Sequence, residues 1–273
     1  MGDGAYLLWA LILSIPCLCL YYVQRRIRGR RIWLLAVAVL WVAAVAAFLL
    51  AYIPKTTLFN AIGRGDVSAV RTCLSKHPEW ANIADFWGRG ALSIAVIEGQ
   101  AGVAELLLGE GADPNPLSGF APLLEAAVHD RVQIGALLIR GGATLDIRGG
   151  PHDSTALHIA AGRGHIGFAK MLVANGMDVD VRDSQGATPL NVAARLGRVS
   201  LVRFLLASGA TVDVVSYGET ALTEAVENGH AEVVELLLSH GADASYAPSL
   251  PRLRSKGHSE PNGAEQGSKQ HEG

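Results

Sequence analysis

Six leucines, Leu58, Leu92, Leu123, Leu157, Leu190 and Leu222, stand at successive spacings of 34, 31, 34, 33 and 32 residues. Five glycines, Gly111, Gly142, Gly176, Gly209 and Gly241, keep a matching rhythm of 31, 34, 33 and 32. Two registers that share their irregularities mark tandem supersecondary units. A unit of this size cannot bury its apolar face alone and must stack on its neighbours, so this region folds as a solenoid with one continuous core.

The residues between the registers define the unit. Thr188-Pro189-Leu190 opens a first helix: threonine can cap free N–H groups, and proline at the first helical position sacrifices no hydrogen bond. Ala126-Ala127, Ala160-Ala161 and Ala193-Ala194 keep these short helices slim enough to stack closely. Gly99, Gly164, Gly197 and Gly229 follow where the chain turns back, and Asp130 takes that place in one copy. Asp tolerates the left-handed conformation less well than glycine. A second helix carries the main apolar face, as in Leu106-Leu107-Leu108, Phe204-Leu205-Leu206 and Leu236-Leu237-Leu238, and the glycine of the second register ends it.

At these residues the chain resembles the ankyrin-repeat family. The resemblance rests on Thr155-Ala156-Leu157-His158-Ile159-Ala160-Ala161, Thr188-Pro189-Leu190-Asn191-Val192-Ala193-Ala194, Gly164-His165, Gly229-His230, Gly111-Ala112-Asp113 and Gly241-Ala242-Asp243. It implies an all-α ankyrin-repeat solenoid, helix-turn-helix units joined by turn or hairpin loops, over residues 55–245. One degenerate copy (Leu58, Gly65-Asp66, Val70, Leu74) precedes five clear ones. Gly149-Gly150-Pro151 is expected to disturb the turn before the third clear copy. The resemblance also assigns His158 to a hydrogen bond with loop backbone.

Ahead of the repeats, Ala5 to Val23 and Ile32 to Ile53 are uncharged runs of 19 and 22 residues. At 1.5 Å per residue each is long enough for a hydrocarbon core of roughly 30 Å. Residues 1–54 are therefore expected to form a transmembrane helical hairpin, with spans at about 5–23 and 32–53. The intervening 24–31 holds Arg25, Arg26, Arg28, Arg30 and Arg31 and no acid, which predicts a cytoplasmic loop by the positive-inside rule. Both ends of the hairpin, and with them the repeats, are then extracytoplasmic, meaning periplasmic in a Gram-negative cell. A cleaved signal peptide fits less well, because 22 apolar residues exceed a typical h-region. Residues 246–273 are poor in apolar side chains and read as a disordered tail, with Tyr246, Leu250 and Leu253 available to fold back over the last repeat.

Charge narrows the function. Residues 1–54 hold five arginines and one acid, whereas the remainder holds 18 basic and 24 acidic residues. The repeat region is thus mildly acidic and unsuited to tracking a phosphate backbone, so no nucleic-acid partner is expected. Three cysteines, two of them (Cys17, Cys19) in the first apolar run, give no disulfide framework, and Cys73 reads as a small core residue. No phosphate-binding glycine loop, H-E-x-x-H or G-x-S-x-G occurs, so no enzymatic activity, catalytic residue, metal, cofactor or small-molecule substrate is expected.

Binding is expected where the framework leaves positions free, on the loop tips and the exposed face of the first helices, which together form the concave surface. By register these are Phe86, Trp87 and Arg89 in the first clear repeat, Leu117, Phe120 and His129 in the second, and Arg163, Arg195, Tyr217 and Glu219 in the later ones. Exposed aromatics flanked by arginine suit a protein hot spot. Trp80, Phe86 and Trp87, close to the second apolar run, are candidates for contact with the bilayer. The expectation is a membrane-anchored scaffold that binds a protein partner. The alternative is an accessory or regulatory subunit of a membrane transporter or redox complex, held mainly through the hairpin.

Overall fold

The structure is a computed structural model that describes residues 39, 41–43, 55–85, 87–116, 121–150 and 152–246. The chain divides into two compact units, Met1–Thr57 and Leu58–Gly273. The expected first span, the arginine loop, most of the second span and the tail beyond Tyr246 lie outside the described residues. No helix among the described residues is long and apolar enough to cross a membrane.

The second unit consists of helix pairs. After a helix over residues 55–64 (α1), the degenerate copy continues with α2, Val67–Lys76. Asp66 caps α2 by accepting the Ala69 N–H at 2.9 Å. The clear repeats are α3 (Ala91–Ile97) with α4 (Ala101–Gly109), α5 (Pro122–Val128) with α6 (Val132–Arg140), and α7 (Ala156–Arg163) with α8 (Ile166–Ala174). They continue with α9 (Pro189–Arg195) and α10 (Val199–Ala207), then α11 (Ala221–Glu227) and α12 (Ala231–Ser239). First helices stack on first helices, and second helices on second helices.

Local chemistry places the ends. Thr188 and Thr220 cap α9 and α11, and Pro122 and Pro189 sit in the first turns of α5 and α9. The five glycines that end the second helices take φ between +85° and +93°. Asp130 adopts φ +52° in the turn where other copies carry glycine. The paired alanines Ala126, Ala127, Ala160, Ala161, Ala193 and Ala194 are completely buried between the first helices. Leu107, Leu138, Leu172, Leu205 and Leu237 form a matching buried column along the second helices.

The turn at Gly149-Gly150 does differ from its counterparts: Gly149 and Ser154 exchange backbone hydrogen bonds of 3.1 and 2.9 Å, a wider bracket than Ser216 with Glu219 in the fifth clear repeat, with Gly150 at φ +78°. One expectation is corrected. Trp80 does not face outward. It lies in a short 3-10 helix, Pro78–Asn82, is 8% exposed, and stacks on the His77 ring at 4.0 Å between centroids. Its indole joins the core of the first copies, where a small side chain would leave apolar surface wet.

Candidate functional site

The free surface is defined by what the framework already uses. One ladder runs between successive repeats through the residue after the turn. Gln100, Arg131, His165, Arg198 and His230 each direct a side-chain nitrogen to a carbonyl at the end of the preceding first helix. Their acceptors are Gly63, Ile97, Ala127, Gly162 and Arg195, at 3.2, 2.9, 2.9, 3.1 and 3.0 Å. The turn glycine is needed twice over. A Cβ at Gly99 would lie 2.7 Å from Arg131 Cζ, and one at Gly197 2.6 Å from His230 Nδ1. Where Asp130 replaces glycine, His165 bonds to Ala127, one residue nearer the helix interior than the acceptors of the flanking Arg131 and Arg198.

A second ladder ties the turns. Asn82 and Asn115 each donate to the carbonyl of the next glycine register and accept from a following N–H. Asp180 accepts from Thr211, and Asp213 from the Asp243 N–H. Sequence reading found only the histidine rungs of the first ladder. Its signal was present: Gln100, Arg131, His165, Arg198 and His230 repeat with the same spacings as the glycines, and all carry N–H donors. Chemically unlike residues share one geometric task.

Of the expected binding residues, Phe86, Leu117 and Phe120 lie outside the described residues. Trp87 is 71% and Tyr217 75% exposed, the two most exposed large apolar side chains among the described residues of the repeats. Trp87 is presented by a tip built around Asp85, whose carboxylate accepts from the Trp87 and Arg89 N–H groups and from Arg89 Nε. The Arg89 guanidinium closes an ion pair of 2.7 Å with Asp85 and lies 5.4 Å from the Trp87 ring centroid. Arg89 is therefore largely a strut of the tip, where sequence reading treated it as a free charge. Tyr217 projects from a hairpin closed by the Ser216–Glu219 bridge, at φ +52°.

His129, Arg163 and Arg195 are exposed at the ends of α5, α7 and α9, and Glu219 is half-buried. Arg195 approaches Glu224 at 4.0 Å. The expected residues do not form one cluster: Trp87 and Arg89 occupy the first clear repeat, Tyr217 and Glu219 the fifth, with the basic group between. Two carboxylates that sequence reading missed complete the face. Burial pushes Glu125 above the usual carboxylate range, against the pull of Arg89. Burial likewise raises Glu224; Arg195 opposes the shift, while Glu219 and Glu227 add to it.

Slim alanine-stacked first helices, glycine-closed turns and inter-repeat side-chain ladders define a repeat protein with a variable binding face on a fixed frame. The pattern described as Ankyrin repeats (3 copies) matches residues 123–216 and 175–247, and that described as Ankyrin repeat matches 87–117. The chain superposes on the human ASB11 ankyrin repeat domain with a TM-score of 0.61 and 30% identity, covering 68% of this chain and 84% of that one. The chain belongs to the ankyrin-repeat family, a non-catalytic family of protein-interaction scaffolds.

Among curated relatives, it is 33% identical over 176 residues to Ankyrin repeat and KH domain-containing protein CBG24701 of Caenorhabditis briggsae, covering 62% of this chain and 7% of that protein. It is 33% identical over 141 residues to human Ankyrin repeat and SOCS box protein 16, covering 50% and 31% respectively. The chain spans less than a third of the length of either relative.

Proposed function

We propose that this protein is a membrane-anchored scaffold that holds a protein partner on the tips and concave face of its repeats. The observation that carries the binding surface is the exposure of Trp87 and Tyr217 on tips whose backbone is fixed by Asp85 and by the Ser216–Glu219 bridge. Rigid aromatic anchors supply large contact area at low entropic cost, which is why they dominate interface energetics. The anchor rests on the two uncharged runs of residues 5–23 and 32–53. The five-arginine loop supports a cytoplasmic loop with the repeats on the opposite side.

Two measurements test this reading. Trp87→Ala and Tyr217→Ala should each weaken partner capture from source-cell membranes by about 2 kcal/mol, roughly 30-fold, with an unchanged melting temperature. Capture that survives both substitutions but needs only residues 1–54 would favour a subunit held through its hairpin. For topology, alkaline phosphatase fused after Ser245 should be active in intact bacteria. An inactive fusion, with a bright cytoplasm-only fluorophore at the same site, would reverse the orientation.

A further inference from the structure

The concave-face reading leaves the partner's chemistry open, and one position in the third clear repeat speaks to it. The seventh residue of the first-helix segment is Ile97, Val128, Gly162, Arg195 and Glu227 in the five clear repeats. The third is a glycine, so one side chain is missing from the row. A Cβ at Gly162 would lie 3.4 Å from Val192 Cγ1 and 3.6 Å from Leu196 Cδ1, which is ordinary contact. The gap therefore admits a methyl group against apolar walls supplied by the next repeat. Leu196 is 43% exposed, unusual for a leucine in so closely packed a frame. The Gly162 carbonyl already accepts from Arg198, so the notch offers apolar contact at its floor.

Its rim is basic. Residues 156–165 and 189–198, the two first helices beside the notch with their turns, contain Arg163, Arg195 and Arg198 and no acidic residue. Arg163 and Arg195 are exposed, and the 4.0 Å separation of Arg195 from Glu224 is too long for a good hydrogen bond. His129 continues the basic row in the preceding repeat. The carboxylates of the neighbouring turn are committed: Asp183 accepts from the Gln185 and Ala187 N–H groups, and Asp180 from Thr211. Of the remaining inner-face acids, Asp153 stands exposed on the loop tip of the notch's own repeat, Glu98 and Glu125 lie before the notch, and Glu219, Glu224 and Glu227 after it.

We propose that the Gly162 notch takes one apolar side chain of a protein partner whose adjacent residues are acidic, their carboxylates meeting Arg163 and Arg195. Arginine pairs with carboxylates through two parallel hydrogen bonds, and an apolar anchor seated beside such a pair gives a compact, sequence-selective contact. The inference rests on the concave-face reading and names the partner's chemistry.

The test uses the full chain in lipid nanodiscs as bait for a random dodecapeptide display library, with affinities of selected peptides measured by fluorescence anisotropy. Selected peptides should share a leucine, isoleucine or phenylalanine within two positions of Asp or Glu. Gly162→Leu and Arg163→Glu should each weaken them at least tenfold. Gly162→Ala should weaken them less while raising the melting temperature, since alanine outranks glycine within a helix. Loss of binding in a variant that melts higher cannot come from unfolding. A lysine- or arginine-rich consensus, an affinity indifferent to Gly162→Leu, or a library without binders would overturn the proposal. Peptides lost on Trp87→Ala or Tyr217→Ala but indifferent to Gly162→Leu would retain the concave face and remove the notch. Peptides indifferent to all of these variants would remove both.

Discussion

Truncating Phe168 to alanine is expected to lower the unfolding free energy by about 3–5 kcal/mol, the range for emptying a buried aromatic site. Phe168 is the largest fully buried side chain among the described residues of the repeats. Its row along the second helices is otherwise Val103, Ile134, Leu201 and Val233, all smaller and all at most 2% exposed. Its ring has room because Gly135, on α6, has no side chain: a Cβ there would lie 2.7 Å from Phe168 Cε2 and 2.9 Å from Cζ, and 2.6 Å from Cε at the flexible end of Met171. The two residues exchange volume across the α6–α8 interface. Gly135→Ala should therefore cost about 1–3 kcal/mol by overpacking, although alanine is the better helix former. In a Phe168→Leu background, which removes the ring edge and leaves only the flexible Met171 methyl to give way, the same Gly135→Ala change should cost clearly less. Urea melts of the two single variants and the double variant read the coupling. Equal destabilisation in both backgrounds would mean that the ring is not what fills the space. The defect also sits in the third of five clear repeats, and solenoid stability passes only between neighbours, so Phe168→Ala should broaden the transition as the two sides uncouple.

The contrast between that pair and the repeat registers shows what sequence could reveal. Leu157, Gly176, the Thr188-Pro189 start and the poor turn residue Asp130 were legible because a period places each at a known point of a known unit, and backbone geometry there depends on local chemistry. The exposure of the tip aromatics Trp87 and Tyr217 was legible for the complementary reason: neither falls on a core position of the repeat. Gly135 was not, because its meaning lies in the residue 33 positions later on another helix. Trp80 was misread because its place close to the second apolar run suggested contact with the bilayer, whereas it stacks on His77 within a 3-10 turn and lies inside. Arg89 shows a failure of a different kind: its ion pair with Asp85 is an i,i+4 contact within one tip, and counting it as free charge overlooked a partner four residues away. The notch at Gly162 was invisible as well, since a glycine in one row becomes a site only when Val192 and Leu196 of the next repeat wall it.

His158 should make this fold acid-sensitive, and replacing it with asparagine should remove that sensitivity at little cost. His158 is 3% exposed; its Nε2 lies 2.9 Å from the Ala187 carbonyl, and its Nδ1 is 3.3 Å from the Thr155 N–H and 2.9 Å from the Thr155 hydroxyl. A carbonyl only accepts, so Nε2 carries the proton and Nδ1 accepts from Thr155. Protonation would replace that acceptor with a second donor. Burial, the largest influence, accordingly holds the His158 pKa below its ordinary 6.5, although the Ala187 carbonyl and Asp183 favour the charged ring. With the folded value depressed, the unfolded chain binds the extra proton first as pH falls. Stability from this site is therefore complete above about pH 6.5 and declines below it until the folded value is passed. Glu125 and Glu224 act with the opposite sign. Their folded pKa values are raised by burial, so their contribution is most favourable below the unfolded value and is lost as pH rises through the folded one. The fourth repeat shows how to isolate the histidine. There Asn191 makes the same bond from the Thr188 N–H at 3.1 Å and donates to the Val214 carbonyl at 3.2 Å, an acceptor earlier in its loop than Ala187 is in the preceding one, without a titrating group. His158→Asn should thus stay close to the parent at pH 8 and lose less stability between pH 7 and 5. His158→Leu strands the Thr155 N–H, while the Ala187 carbonyl keeps the Asp183 N–H at 3.0 Å, and should cost about 1–3 kcal/mol near neutral pH, the range for one buried unpaired group. Parallel pH profiles for the parent and His158→Asn would show that the ring does not titrate against folding, and that the acid response belongs to the carboxylates.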